Sequence, residues 1–185
     1  MKQFINLTLG RISRIAALLG VFATSPALAQ AEATPTLPGG ASSLQETFGD
    51  WRITCQVSES TKRCALSQQQ AHQNGERLLA IELEPGPDNT MTGTLILPFG
   101  LLLDAGVVLQ VDEQAALASI RFHTCIPGGC VVMLTLNAAT TTALRNGETL
   151  NVAVKAADGQ QDVQLKISLS GLPAALDRLS VLLEG

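Results

Sequence analysis

The segment HTCIPGGC, residues 123–130, sets two cysteines around a Pro-Gly-Gly turn with a histidine just ahead of them. Those residue types fit three chemistries. Thiolates with an imidazole and a thioether can hold a soft metal such as copper, and His123, Cys125, Cys130 and Met133 form that candidate set. Two close thiols can also cycle between dithiol and disulfide, or they can close a covalent staple. Spacing weighs against the first two. His123 and Cys125 are two apart and would share a strand face, but Met133 lies three beyond Cys130 and falls on the opposite one. Neither this pair nor Cys55 and Cys64 has the Cys-x2-Cys spacing common in structural zinc sites. A redox dithiol is expected as Cys-x-x-Cys opening a helix, where the dipole depresses the thiol pKa. The expectation is therefore disulfides, with no metal and no cofactor.

The compartment supports the same choice. Lys2, Arg11 and Arg14 form a basic region with no acidic residue, IAALLGVFA (Ile15 to Ala23) is a short apolar run, and PALAQ places small residues at Ala27 and Ala29. This is the layout of a secretory signal peptide over residues 1–29. The run is shorter than the roughly 20 apolar residues a spanning helix needs, so no transmembrane segment is expected after cleavage. Export to the periplasm or cell surface brings all four cysteines into an oxidising space, where an even count favours disulfides. Four cysteines allow three pairings, and the sequence does not choose among them. Local pairing, Cys55 with Cys64 and Cys125 with Cys130, needs the shortest loops.

Charge and composition exclude other classes. The net charge of −4 becomes more negative once the basic leader is removed. An acidic chain with no basic run lacks the footprint for nucleic acid and for anionic lipid. Only His72 and His123 could act as imidazole bases, and His72 sits in the polar stretch QQQAHQNGE, which reads as a solvated turn. No nucleophile elbow, zinc-protease helix or phosphate loop occurs. Glu82 and Glu84 share a strand face, but two carboxylates alone do not make a glycosidase. One Trp, no Tyr and five Phe offer few platforms for stacking sugars. The chain reads as non-enzymatic.

The elements that must position these residues are mostly strands. Residues 30–43 are rich in Ala, Thr, Pro, Gly and Ser and read as a flexible leader, and residues 44–185 read as one domain. WRITCQV, RLLAIEL, TGTLILP, VVLQV, SIRFHTC, CVVMLTL, TLNVAVKA and DVQLKISLS alternate with period two or form short apolar runs. Turn chemistry at Asn74-Gly75, Pro85-Gly86, Asn146-Gly147 and Asp158-Gly159 separates several of them. The expectation is a mainly β fold, an antiparallel, jelly-roll-like β-sandwich. A short helix over Thr140–Gly147 and a C-terminal helix with Leu172, Leu176, Leu179 and Leu183 on one stripe complete it. The apolar stretch Thr94–Val111 is broken by Pro98, Gly100, Asp104 and Gly106, so it reads as two core strands around a tight loop. Phe99, Leu101, Leu102 and Leu103 in that loop are the candidate surface for a partner.

Taken in order, FGDWRITCQ (Phe48 to Gln56), KRCALSQQ (Lys62 to Gln69), LPFGLLLDAGVVLQVD (Leu97 to Asp112), FHTCIPGGC (Phe122 to Cys130), ALRNGE (Ala143 to Glu148) and SLSGLPAALDRL (Ser168 to Leu179) resemble the invasion-associated locus B family of exported alphaproteobacterial proteins. The resemblance runs from Ala41 to Leu183. It implies a periplasmic or envelope location, a β-sandwich fold and structural cysteines, and it carries no catalytic residue. Phe122 stands where an aromatic that is often Tyr is expected. The founding member is linked to red-cell entry, but no biochemical activity defines the family. The apolar loop and the missing catalytic constellation give the expectation of a binding or accessory role with an unknown protein partner in the envelope or on a host cell. The rival reading is a periplasmic thiol-redox or copper-handling protein built on His123, Cys125 and Cys130.

Overall fold

The computed structural model describes residues 36–184 apart from Ser60. The signal peptide read at residues 1–29, and the leader up to residue 35, lie outside the described residues. Ten strands and two helices follow one another as β1 Ser43–Phe48, β2 Trp51–Ser58, β3 Thr61–Ala71, β4 Arg77–Pro85, β5 Met91–Leu97, β6 Val108–Val111, β7 Phe122–Ile126, β8 Gly129–Leu136, α1 Ala138–Asn146, β9 Thr149–Lys155, β10 Asp162–Ser168 and α2 Leu172–Glu184. A seven-stranded sheet has the order β1-β2-β3-β4-β5-β8-β7, and a three-stranded sheet has the order β10-β9-β6. Every pairing is antiparallel. This is the expected antiparallel β-sandwich. The first five strands form a meander, and the chain crosses between sheets only afterwards, at β5 to β6, β6 to β7 and β8 to β9.

Period-two alternation sorts each strand into an inward and an outward face. In the large sheet, register brings Ile53, Leu66 and Leu83 side by side on the inner face. One residue along, it brings Arg52, Ser67, Glu82 and Thr94 together on the outer face. The small sheet offers Leu109 and Val152 in the same manner. All these apolar inner residues belong to a single buried cluster shared by both sheets. Burying one such side chain stabilises by roughly 1.5–3 kcal/mol, and this shared interior is what holds the layers together.

Polar contacts add a seam between the layers. Ser168 O on β10 accepts from both Trp51 Nε1 and Gln68 Nε2 at 2.9 Å, and Gln70 Nε2 donates to Lys166 O at 2.8 Å. Gln68 is buried, and this pairing is what permits an amide in the interior. Trp51 is core, as its strand face implied.

The helices close the fold. Asn137 caps α1, its side chain accepting from Thr140 N at 2.9 Å. The glycine after α1 does not act through a left-handed turn: Gly147 has an extended backbone, φ −89°. A β-carbon there would come within 2.5 Å of Val111 Cγ1, so the glycine is needed for space. α2 lies against β1, β2, β3 and α1. Its buried stripe is Leu172, Ala175, Leu179 and Leu182, with Leu176 and Leu183 at its margin. Ala175 and Leu182 thus take the centre that the leucine spacing assigned to Leu176 and Leu183. At the other end of the chain, Leu37 is buried and Ser42 O accepts from Val57 N at 2.8 Å, so residues 37–42 pack on the domain.

Candidate functional site

β7 and β8 form a hairpin whose turn is Pro127–Gly128, and Cys125 lies directly opposite Cys130 across it. The two sulfurs are 1.98 Å apart. Cys55 and Cys64 are likewise directly opposite across β2 and β3, with sulfurs 2.00 Å apart. The pairing is local in both cases, and no cysteine is free. Gly129 is fixed twice over: its φ is +133°, and a β-carbon would lie 2.4 Å from Leu97 O. That contact seats the hairpin tip against the end of β5.

The soft-metal set does not assemble. Its two sulfurs are bonded to each other, so no thiolate is available. The register of β7 shifts between Phe122 and Thr124, which leaves His123 as the unpaired extra residue of a bulge. The two-residue spacing therefore does not carry His123 and Cys125 as a regular strand would. Met133 is exposed while its neighbours Val132 and Leu134 are buried, which places it on the outer face, opposite Cys130. Among the described residues no three His, Cys, Asp or Glu side chains cluster as metal ligands.

The loop between β5 and β6 divides its apolar residues. Phe99 is 60% exposed and Leu103 42% exposed. Leu101 packs against the core and bridges to Ala156, and Leu102 is half-buried with its N–H donating to Lys155 O at 2.8 Å. Only Phe99 and Leu103 of the four therefore present a free apolar surface. Ile126, 45% exposed at the hairpin tip, joins them. Residues 103–107 run beside the edge strand, held by the Val107–Ile120 bridge and by Ser119 Oγ donating to Ala105 O at 3.2 Å. Where they diverge, a groove of about 450 Å³ opens between Leu103 and Asp104 on one side and Arg121–Thr124 on the other. Ile126 and the groove escaped the sequence reading. The apolar residue immediately before Pro-Gly-Gly was the available signal, since an apolar residue flanking a two-residue turn has little protein left to pack on.

Charges elsewhere serve the scaffold. Glu46, on the inward side of β1, accepts from Arg178 Nε and Nη2 at 2.7 and 2.8 Å. The guanidinium hydrogen bonds hold the Glu46 carboxyl below its ordinary value, against the opposing effect of burial, and raise Arg178. Arg145 pairs with Asp177 between the helices, and Lys155 with Asp162 across β9 and β10. His72 lies in the turn after β3, and neither it nor His123 has its ring hydrogen-bonded by a side chain among the described residues. Glu82 and Glu84 are exposed on the outer face. No helix among the described residues is long and apolar enough to cross a membrane.

The fold and its staples define a class: a disulfide-bonded antiparallel β-sandwich with an open edge hairpin. A family model described as invasion associated locus B protein matches residues 51–180. The chain belongs to the invasion-associated locus B family. It is 40% identical over 166 residues to an invasion protein B homolog of Brucella abortus, covering 89% of this chain and 95% of that one. It is 33% identical over 162 residues to invasion protein B of Bartonella bacilliformis, covering 86% and 84%. A crystal structure of invasion associated protein B from Bartonella henselae is similar with a TM-score of 0.72 and 34% identity, over 76% of this chain and 97% of that one.

Proposed function

We propose that this is an exported envelope or periplasmic protein with a non-enzymatic binding or accessory role, and that its partner is a protein met at the end of the sandwich formed by Phe99, Leu103 and Ile126. The observation that carries the reading is the exposure of these three large apolar side chains, with Ile126 on the edge strand β7 and Leu103 in the groove beside it. The groove sets apolar Leu103 and Phe122 beside polar Asp104, Arg121 and His123, a mixture that suits an interaction patch. The relatives' names tie them to invasion, and the same role in this organism, in the envelope or at a host cell, is part of the proposal. Among the described residues neither His72 nor His123 is oriented by a carboxylate, as the base of a histidine-dependent hydrolase is.

Cross-linking in the native envelope followed by capture tests the surface. The wild-type protein, Phe99→Asp and Val181→Asp are compared, Val181 being 58% exposed on α2 beside residues 36–40. A cross-linked species lost with Phe99→Asp and kept with Val181→Asp supports the reading. Species unaffected by Phe99→Asp remove this surface as the reason for it.

A further inference from the structure

The two disulfides have the same local pairing and opposite surroundings. Cys55 and Cys64 are 0% and 5% exposed in the shared core. They bridge two interior strands, with β1 covering one flank through the Leu44–Cys55 pair and β4 pairing with β3 from Leu66 onward. A reductant reaches that bond only when the sheet opens. Cys125 is exposed on β7, the last strand of the sheet, which has β8 as its sole neighbour. Cys130, its partner, is 3% exposed. The asymmetry within this second pair sets a direction. A thiolate reaches the pair from the side of Cys125, its exposed residue, in line with the S–S bond, and the sulfur of buried Cys130 becomes the leaving group.

We propose that Cys125 Sγ is a site of thiol–disulfide exchange for a protein or small-molecule dithiol, and that opening this bond loosens β7 while Cys55–Cys64 stays closed. One thiolate of the dithiol bonds to Cys125 Sγ, the Cys125–Cys130 bond breaks, and Cys130 leaves as a thiolate that takes a proton. The second thiol of the reductant then attacks the mixed disulfide, forming the reductant's own disulfide and releasing Cys125 as a thiol. Two electrons pass from the dithiol to the protein.

The consequence falls on β7 because little else holds it. Its ladder is four residue pairs interrupted by the His123 bulge, with the Val107–Ile120 bridge behind it and a contact from Arg77 Nη1 to Gly128 O at 3.5 Å ahead. Phe122 and His123 line the groove beside Leu103. Loosening β7 therefore reshapes the apolar end. In this respect the inference rests on the function proposed above and describes its regulation. The exchange site itself does not depend on that function.

The test uses the oxidised mature protein treated with graded dithiothreitol, alkylated, and mapped by peptide mass. Amide hydrogen exchange of residues 122–126 is followed in parallel. Cys125 and Cys130 are expected to alkylate roughly tenfold or more faster than Cys55 and Cys64, because one needs no opening of the core and the other does. The amides of β7 are expected to lose protection in that half-reduced form. Reduction of both pairs together, or of Cys55–Cys64 first, overturns the proposal, as does unchanged β7 protection. A variant with Cys125→Ser and Cys130→Ser stands in for the reduced state without a reductant and must show the same loss of protection. Capture that ignores Phe99→Asp sinks the function while leaving selective reduction intact. Selective reduction failing with capture unaltered sinks only the exchange site.

Discussion

Glu46 on the edge strand β1 and Arg178 on the C-terminal helix are joined by two hydrogen bonds, 2.7 and 2.8 Å long, across 132 residues of sequence. The pair pins α2 over the first strand of the large sheet. Such a fork-to-fork contact fixes geometry as well as charge. It makes a pH-dependent contribution whose sign follows from its chemistry. The folded-state pKa of Glu46 is depressed below 4.5 by Arg178, so the contribution is present above that value and is lost as pH falls through the folded pKa. Glu46→Gln is expected to be less stable than wild type near neutral pH, and the gap is expected to close below the ordinary carboxylate range. Urea midpoints of both proteins at about pH 7 and about pH 3 check this. A gap of equal size at both values contradicts it.

The glutamine seam gives a second prediction. Gln68→Leu removes the amide donating to Ser168 O and the oxygen accepting from Gln70 Nε2. The expected loss is roughly 0.5–1.5 kcal/mol per hydrogen bond, the net worth of the bonds removed, because Ser168 O keeps Trp51 Nε1 and Gln70 Nε2 keeps Lys166 O. Urea unfolding followed by the emission of Trp51, the one tryptophan, reads it directly. A variant as stable as wild type would mean that the inner face tolerates leucine there and that the seam contributes nothing.

Gly171 gives the third. Its φ is +86°, and a β-carbon would sit 2.0 Å from Phe48 O and 2.8 Å from Gly49 N. This is where the turn between β1 and β2 meets the start of α2, with Asp50 N donating to Ser170 O at 3.1 Å. Both objections are to backbone, which has little freedom to move aside. Gly171→Ala is expected to cost about 1–3 kcal/mol or more, measured as a shift in thermal midpoint. A midpoint within error of wild type contradicts the close approach.

The parts of the fold that were legible in the sequence are those that hydropathy describes. Strands such as β2, β4 and β9 show clean alternation because their inward residues are apolar. β1 and β3 were invisible for a physical reason. The inward row of β1 holds Glu46, which is neutralised by Arg178, and that of β3 holds Gln68 and Gln70, which are satisfied by carbonyls of β10. A polar residue whose partner lies about a hundred residues away reads as a surface residue. The bulge at His123 was hidden similarly, because a one-residue insertion in a ladder leaves no mark on composition. At the candidate site, the short loops favoured the local cysteine pairs that the structure holds. The apolar loop was legible as apolar, but its division into packed Leu101 and exposed Phe99 depends on the bridge to Ala156, just past the end of β9 and far along the chain.

HTCIPGGC closes as a staple, Cys125 bonded to Cys130 across the β7–β8 hairpin. The most direct measurement is the intact mass and disulfide peptide map of the mature protein from its native compartment, alkylated before and after reduction. The expected result is no alkylation before reduction, no metal adduct, and cross-linked peptides joining Cys55 to Cys64 and Cys125 to Cys130. Alkylation of Cys55 or Cys64 before reduction, cross-linked peptides in any other pairing, or a metal adduct removed by chelator would contradict it.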